Sequence, residues 1–222
     1  WRTSMLNFDF DAAIFDMDGT LLDTMRYWRY TSLEYLLAHQ LPVRPEDLAR
    51  MEWTSSRALV KEIAEREDFD MGSWQTMVGE LEEFMNRHYL HDAKRRENVP
   101  ELLEKLRGMG KPMCVATGAP RQYARNGLSR LGILKYFEFV TDCYEFGMDK
   151  SQPEYFEEVA RRLGTKPERC VVFEDALYAM KSAKAAGCRV VAIEDSTARL
   201  QRDEIRAIAD RYILNYSELL DE

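Results

Sequence analysis

Between residues 100 and 193, short β-rich apolar runs alternate with segments whose apolar residues fall at helical spacing, and this alternation leaves few folds open. Strand-like runs occupy 112–116, 137–140, 170–173 and 189–193, each flanked by turn or helix signals. Between them, residues 153–163 carry Tyr155, Phe156, Val159, Ala160 and Leu163 on one helical face. Residues 100–106 begin with proline, and Gly108 stands past their end, as at a helix start and stop. Strands and helices in alternation build a parallel sheet covered by helices, so the expected core is an α/β, doubly wound, Rossmann-like sheet. Ala12, Ala13, Ile14 and Phe15 supply a first strand.

No strand-like run follows until residue 96. Leu59, Val60, Ile63 and Ala64 form one helical stripe, and Trp74, Met77, Val78, Leu81, Phe84, Met85 and Tyr89 form another. The spacing predicts an α-helical insertion over 24–96 and an α/β core over 1–23 and 97–222, with the polar segment 91–98 as the return linker.

A chain of 222 residues can bury roughly 70% of its unfolded surface. Its net charge of −8 argues against nucleic-acid binding, which needs a basic surface, and suits recruitment of a divalent cation. Cys114, Cys143, Cys170 and Cys188 form no CxxC pair and have no histidine cluster near them, which points to reduced thiols rather than zinc or disulfides. No apolar run approaches the ~20 residues of a membrane helix, and no basic-then-apolar signal segment opens the sequence. The chain starts at Trp1 rather than Met, so its first residues are expected to be missing or altered. A cytoplasmic protein without a membrane partner is expected, and nothing demands more than a monomer.

The chemistry concentrates where strands end. Asp16 and Asp18 follow the first strand two residues apart, a spacing that turns both carboxylates to one side. Open parallel sheets bind ligands at the carboxyl ends of their strands, and two buried acids repel unless a cation joins them. Thr117 and Gly118 follow the second strand, offering a hydroxyl and unhindered backbone N–H groups of the kind that hold phosphate. Lys150 precedes the helix begun near Pro153, and Glu174 and Asp175 follow the strand at 170–173.

These elements, FDMDGTLLDT, VATGAP, DKSQPEYF and VVFEDA, stand in the order found in the haloacid dehalogenase superfamily of phosphotransferases, which the chain resembles over essentially its whole length. The helical insertion looks like the small cap of the subgroup containing β-phosphoglucomutase, phosphoglycolate phosphatase and sugar-phosphate phosphatases. The resemblance implies an enzyme that removes phosphate from a small phosphorylated metabolite, a sugar phosphate by preference, through an aspartyl phosphate. Asp16 is then the nucleophile and Asp18 the general acid and base. Mg²⁺ is held by Asp16, the backbone carbonyl of Asp18, Glu174 and Asp175. Thr117 and Lys150 stabilise the transferring phosphoryl group.

Two departures stand out: Asp149 and Ser151 flank the lysine where relatives have glycine and proline, and Ala176 follows the acidic pair where serine is common. In the cap, Arg57 within Trp53-Thr54-Ser55-Ser56-Arg57 resembles the contact for a substrate's second phosphate. Tyr27 and Trp28 line a pocket or pack the cap, with packing favoured, and His39, His88 and His91 fit no ligand spacing. Two other readings remain open: a β-phosphoglucomutase-like phosphomutase, supported by Arg57, and a non-catalytic phosphoacceptor or binding module.

Overall fold

The computed structural model describes residues 6, 8–51 and 54–220, so Trp53 lies outside the described residues. The chain divides into two compact units, Trp1–Asp23 with Lys94–Glu222, and Thr24–Ala93. The return therefore comes at residue 94 rather than 97. The reason is local: the Asp23 N–H donates to Lys94 O and the Arg96 N–H donates to Leu21 O, joining both ends of the excursion to the first unit.

The first unit is built on a six-stranded parallel sheet of β1 (Ala12–Phe15), β2 (Met113–Thr117), β3 (Phe139–Asp142), β4 (Cys170–Glu174), β5 (Arg189–Ile193) and β6 (Arg211–Ile213). The strand order is 3-2-1-4-5-6, with every pairing parallel. Strands β1, β2 and β4 are buried throughout, as strands covered on both faces must be. Alternation sends Ala12, Ile14, Cys114, Ala116, Cys170, Val172, Val190 and Ala192 into one core with Tyr155, Phe156, Val159 and Met180 of the covering helices. On the opposite face, the Phe15 and Phe173 rings stack at 4.4 Å, and Phe137 meets Phe15 edge-on at 6.0 Å.

The third strand begins two residues later than the apolar run suggests. Phe137 belongs to the preceding turn and serves the core through its ring rather than through the ladder. The second strand excludes Pro112, which cannot donate to a ladder but whose carbonyl accepts from the Ala13 N–H.

The second unit is helical, with α1 (Met25–Ala38), α2 (Pro45–Arg50), α3 (Ser56–Arg66) and α4 (Trp74–His91). Ser55 and Ser73 cap α3 and α4, accepting from the Ala58 and Thr76 N–H groups at 3.3 and 3.1 Å. Its core joins Tyr35, Leu36, Leu41, Met51, Leu59, Val60, Ile63, Met77 and Leu81. Trp74, placed in that stripe by its spacing, sits at the first turn of α4 and is exposed instead. His39 pairs with Glu80, and His88 lies between Glu34 and Asp92 with the Tyr27 ring stacked on it at 4.3 Å. Among the described residues, no helix is long and apolar enough to cross a membrane.

Candidate active site

Strand order reverses at β1, whose neighbours β2 and β4 lead away in opposite directions, and the crevice at such a switch point opens at the carboxyl ends of the strands. Asp16 is the first residue past β1. Its N–H donates to Phe173 O at 3.0 Å, which sets it level with Glu174, the last residue of β4. Asp16, Glu174 and Asp175 are all buried, and one carboxylate oxygen from each lies within 4.8 Å of the others.

Lys150 reaches into this cluster from the loop before the helix Pro153–Arg162. Its ammonium donates to Asp16 Oδ1 at 2.7 Å and to Glu174 Oε2 at 2.6 Å, and the residue is only 2% exposed. The loop that carries it is held by Asp149, whose carboxylate accepts from the Ser151 N–H at 2.8 Å while its own N–H donates to Gln152 Oε1 at 2.9 Å. Aspartate before the lysine thus shapes the turn through an Asx-type bond. Ala176, the other departure, donates its N–H to Glu174 Oε1 at 3.1 Å, a bond that needs no side chain.

Burial, then the neighbouring Glu174 charge, pushes the Asp16 carboxyl up to about 7 against the pull of Lys150. Burial and the charges of Asp16 and Glu174 likewise raise Asp175. For Lys150 burial works against the charged form, but the Asp16 and Glu174 carboxylates outweigh it and hold the ammonium above the usual lysine range. Among the described residues, Asp16 Oδ2 is buried with no hydrogen-bond partner. An unpartnered carboxylate oxygen beside two further buried acids fits a hard divalent cation, which takes oxygen ligands and would reverse both upward carboxyl shifts.

Asp18 is half-buried, and its charge acts on Asp16. A tight loop follows, in which the Gly19 N–H donates to Leu22 O at 2.8 Å; Gly19 has φ of 82°, a conformation that favours glycine. The side-chain cluster of three acids excludes the Asp18 carboxylate, whose expected contribution is its backbone carbonyl.

Thr117 closes β2, two residues beyond the Phe15–Val115 pair, and is buried. Its hydroxyl accepts from the Ala119 N–H at 3.1 Å rather than capping the helix Arg121–Arg130, whose first N–H donates instead to Asp142 at 2.6 Å. Gly118 is exposed at the same strand end, and a Cβ there would meet no neighbour within 4 Å. Arg57 lies in the helical unit, its guanidinium 3.1 Å from Glu82 and its side chain 41% exposed. Tyr27 packs on His88 and donates its hydroxyl to Asp92 O, in keeping with a packing role.

Thr20 is the residue that sequence reasoning passed over. It lies inside the first motif, fully buried, and its hydroxyl donates to Asp175 Oδ1 at 3.3 Å. The only signal was its position, since a threonine after Asp-Gly reads equally well as a turn residue.

A family model for haloacid dehalogenase-like hydrolases matches residues 13–193. The chain belongs to this family. It is 30% identical over 184 residues to the fructose-1-phosphate phosphatase YqaB of Escherichia coli strain K12, covering 81% of this chain and 94% of that protein. It is also 30% identical over 220 residues to a phosphorylated carbohydrates phosphatase of Thermotoga maritima, covering 92% and 97%. The crystal structure of CbbY from Rhodobacter sphaeroides in complex with phosphate shares the fold with a TM-score of 0.78 at 23% identity, over 95% of this chain and 96% of that one. This haloacid dehalogenase-like chain is therefore an enzyme of the phosphatase type, and its buried acidic cluster fits a metal.

Proposed function

We propose that this enzyme is a Mg²⁺-dependent phosphatase of a small sugar phosphate, working through an aspartyl phosphate on Asp16. The observation that carries the proposal is the buried Asp16 Oδ2 at the end of the central strand, unpartnered among the described residues, in a cluster with Glu174, Asp175 and the Lys150 ammonium.

Asp16, Glu174 and Asp175, with the Asp18 backbone carbonyl, would hold Mg²⁺. When bound, the metal neutralises the carboxylates and the substrate's phosphate, so that two anions can meet. The ionised Asp16 oxygen attacks phosphorus, forming the O–P bond of the aspartyl phosphate as the ester O–P bond breaks. Asp18 gives its proton to the departing sugar oxygen and then takes one from the water that attacks the aspartyl phosphate, releasing inorganic phosphate and regenerating Asp16. Lys150 and Thr117 donate to the phosphoryl oxygens where negative charge spreads, and the backbone of Gly118 adds to that cradle. The helical unit Thr24–Ala93 is the cap that selects the substrate, with Arg57 as a candidate contact.

The sugar-phosphate reading draws support from two relatives at 30% identity whose names give fructose 1-phosphate and phosphorylated carbohydrates as what they act on. ³¹P NMR of the enzyme with a panel of sugar phosphates, hexose 1-phosphates included, tests it. Inorganic phosphate released with Mg²⁺ and not with excess chelator supports the proposal; a signal that migrates to a new sugar ester without phosphate release overturns it in favour of a mutase.

A further inference from the structure

Tyr216 stands 196 residues from Thr20 in sequence, in the C-terminal turn Tyr216–Leu219, yet it is completely buried against the machinery at the end of β1. Its hydroxyl donates to the Thr20 carbonyl at 3.1 Å. The Thr20 hydroxyl in turn donates to Asp175 Oδ1. On the other side, the Tyr216 ring lies 6.3 Å from that of Phe173, the residue before Glu174. One side chain therefore grips both sources of the acidic cluster, the loop after β1 and the end of β4.

The turn that presents Tyr216 is itself fixed. Asn215 accepts from the Ser217 N–H, and the Glu218 carboxylate accepts from the N–H groups of Leu214 and Asn215. We infer that Tyr216 is a positioning residue for the acidic cluster, acting through Thr20 to orient the Asp175 carboxylate. A hydrogen bond to one carboxylate oxygen restricts the group's rotation, and partners of this kind, one bond behind a ligand, set metal affinity as well as geometry. The inference rests on the reading of Asp16, Glu174 and Asp175 as a cation site.

The test is Mn²⁺ titration of the whole, metal-free enzyme, with the free ion read by electron paramagnetic resonance and folding checked by circular dichroism. Tyr216→Phe keeps the ring and removes only the hydroxyl, and Thr20→Val removes the hydroxyl that reaches Asp175 at nearly unchanged shape. Both variants are expected to bind Mn²⁺ about 10-fold more weakly than the unaltered enzyme, while Thr20→Ser restores affinity. Because both bonds lie on one path, the double variant should bind no more weakly than Thr20→Val. Affinities of folded Tyr216→Phe within about twofold of the unaltered enzyme overturn the inference. So does Thr20→Ser as weak as Thr20→Val. Absence of Mn²⁺ binding by the unaltered enzyme overturns the cation site itself and the inference with it.

Discussion

The Lys150 ammonium lies 2.7 Å from Asp16 Oδ1, where it is the buried counter-charge of the residue proposed as nucleophile. Because it also bonds Glu174, its removal leaves two buried carboxylates without that partner. Lys150→Met is expected to destabilise the metal-free enzyme by about 3 kcal/mol, read by urea denaturation. It should also lower kcat by about 10²-fold or more through loss of a donor to the phosphoryl group. Unchanged kcat would remove Lys150 from the reaction.

Asp16 gives the metal-free enzyme a defined pH dependence. Its folded value of about 7 stands above the unfolded carboxylate value of about 3.9. The folded state therefore holds a proton that the unfolded state has released. That contribution is fully present below about pH 4 and is lost as pH rises through about 7. Metal binding requires the ionised carboxylate, so the gain in Tm on adding Mg²⁺ should be larger near pH 8 than near pH 5. Calorimetry at neutral pH in buffers of different ionisation enthalpy should show proton release on binding. A gain in Tm that does not change with pH contradicts this account.

Asp47 stabilises the helical unit in the opposite sense. Its carboxylate is buried and accepts from Arg66 at 2.8 and 2.9 Å and from the Arg44 N–H at 3.0 Å. The Arg66 bonds hold its pKa below the usual carboxylate value. A depressed folded value means stability present above about pH 4 and lost as pH falls through that lower value. Asp47→Asn should reduce stability by about 2 kcal/mol at neutral pH and flatten the acid limb, as chemical denaturation across pH will show.

Arg57 separates substrate binding from structure. Its side chain is 41% exposed, and a guanidinium has more donors than the one bond to Glu82 uses. If the cap uses it, Arg57→Ala raises KM about 10-fold for the preferred sugar phosphate, with kcat changed less. An unchanged KM leaves Arg57 as an ion-pairing residue of the helical unit.

Much of this fold was legible because each chemical element follows a strand with a clear apolar signature. The runs at 12–15 and 189–193 coincide with β1 and β5, since both are paired on two sides and their apolar residues are all buried. Strand β6 was missed: Arg211-Tyr212-Ile213 is a three-residue edge strand with Arg211 and Tyr212 only half-buried, and it carries neither a run nor an alternation long enough to read. Asp16, Glu174 and Asp175 meet at neighbouring strand ends, and Lys150 joins them from the loop before the helix Pro153–Arg162. The Tyr216–Thr20–Asp175 path was not legible, because a tyrosine in a terminal turn leaves no local trace of the bond it makes 196 residues away.

The central claim is that Asp16 carries the phosphoryl group. Enzyme mixed with Mg²⁺ and a saturating amount of whichever sugar phosphate the ³¹P NMR panel shows it to hydrolyse, quenched in acid and digested, should yield the peptide containing Asp16 heavier by one phosphoryl group. Asp16→Asn, folded as judged by circular dichroism, should show neither the modified peptide nor turnover. Phosphate found on another residue, or Asp16→Asn releasing phosphate at the rate of the unaltered enzyme, would contradict the account.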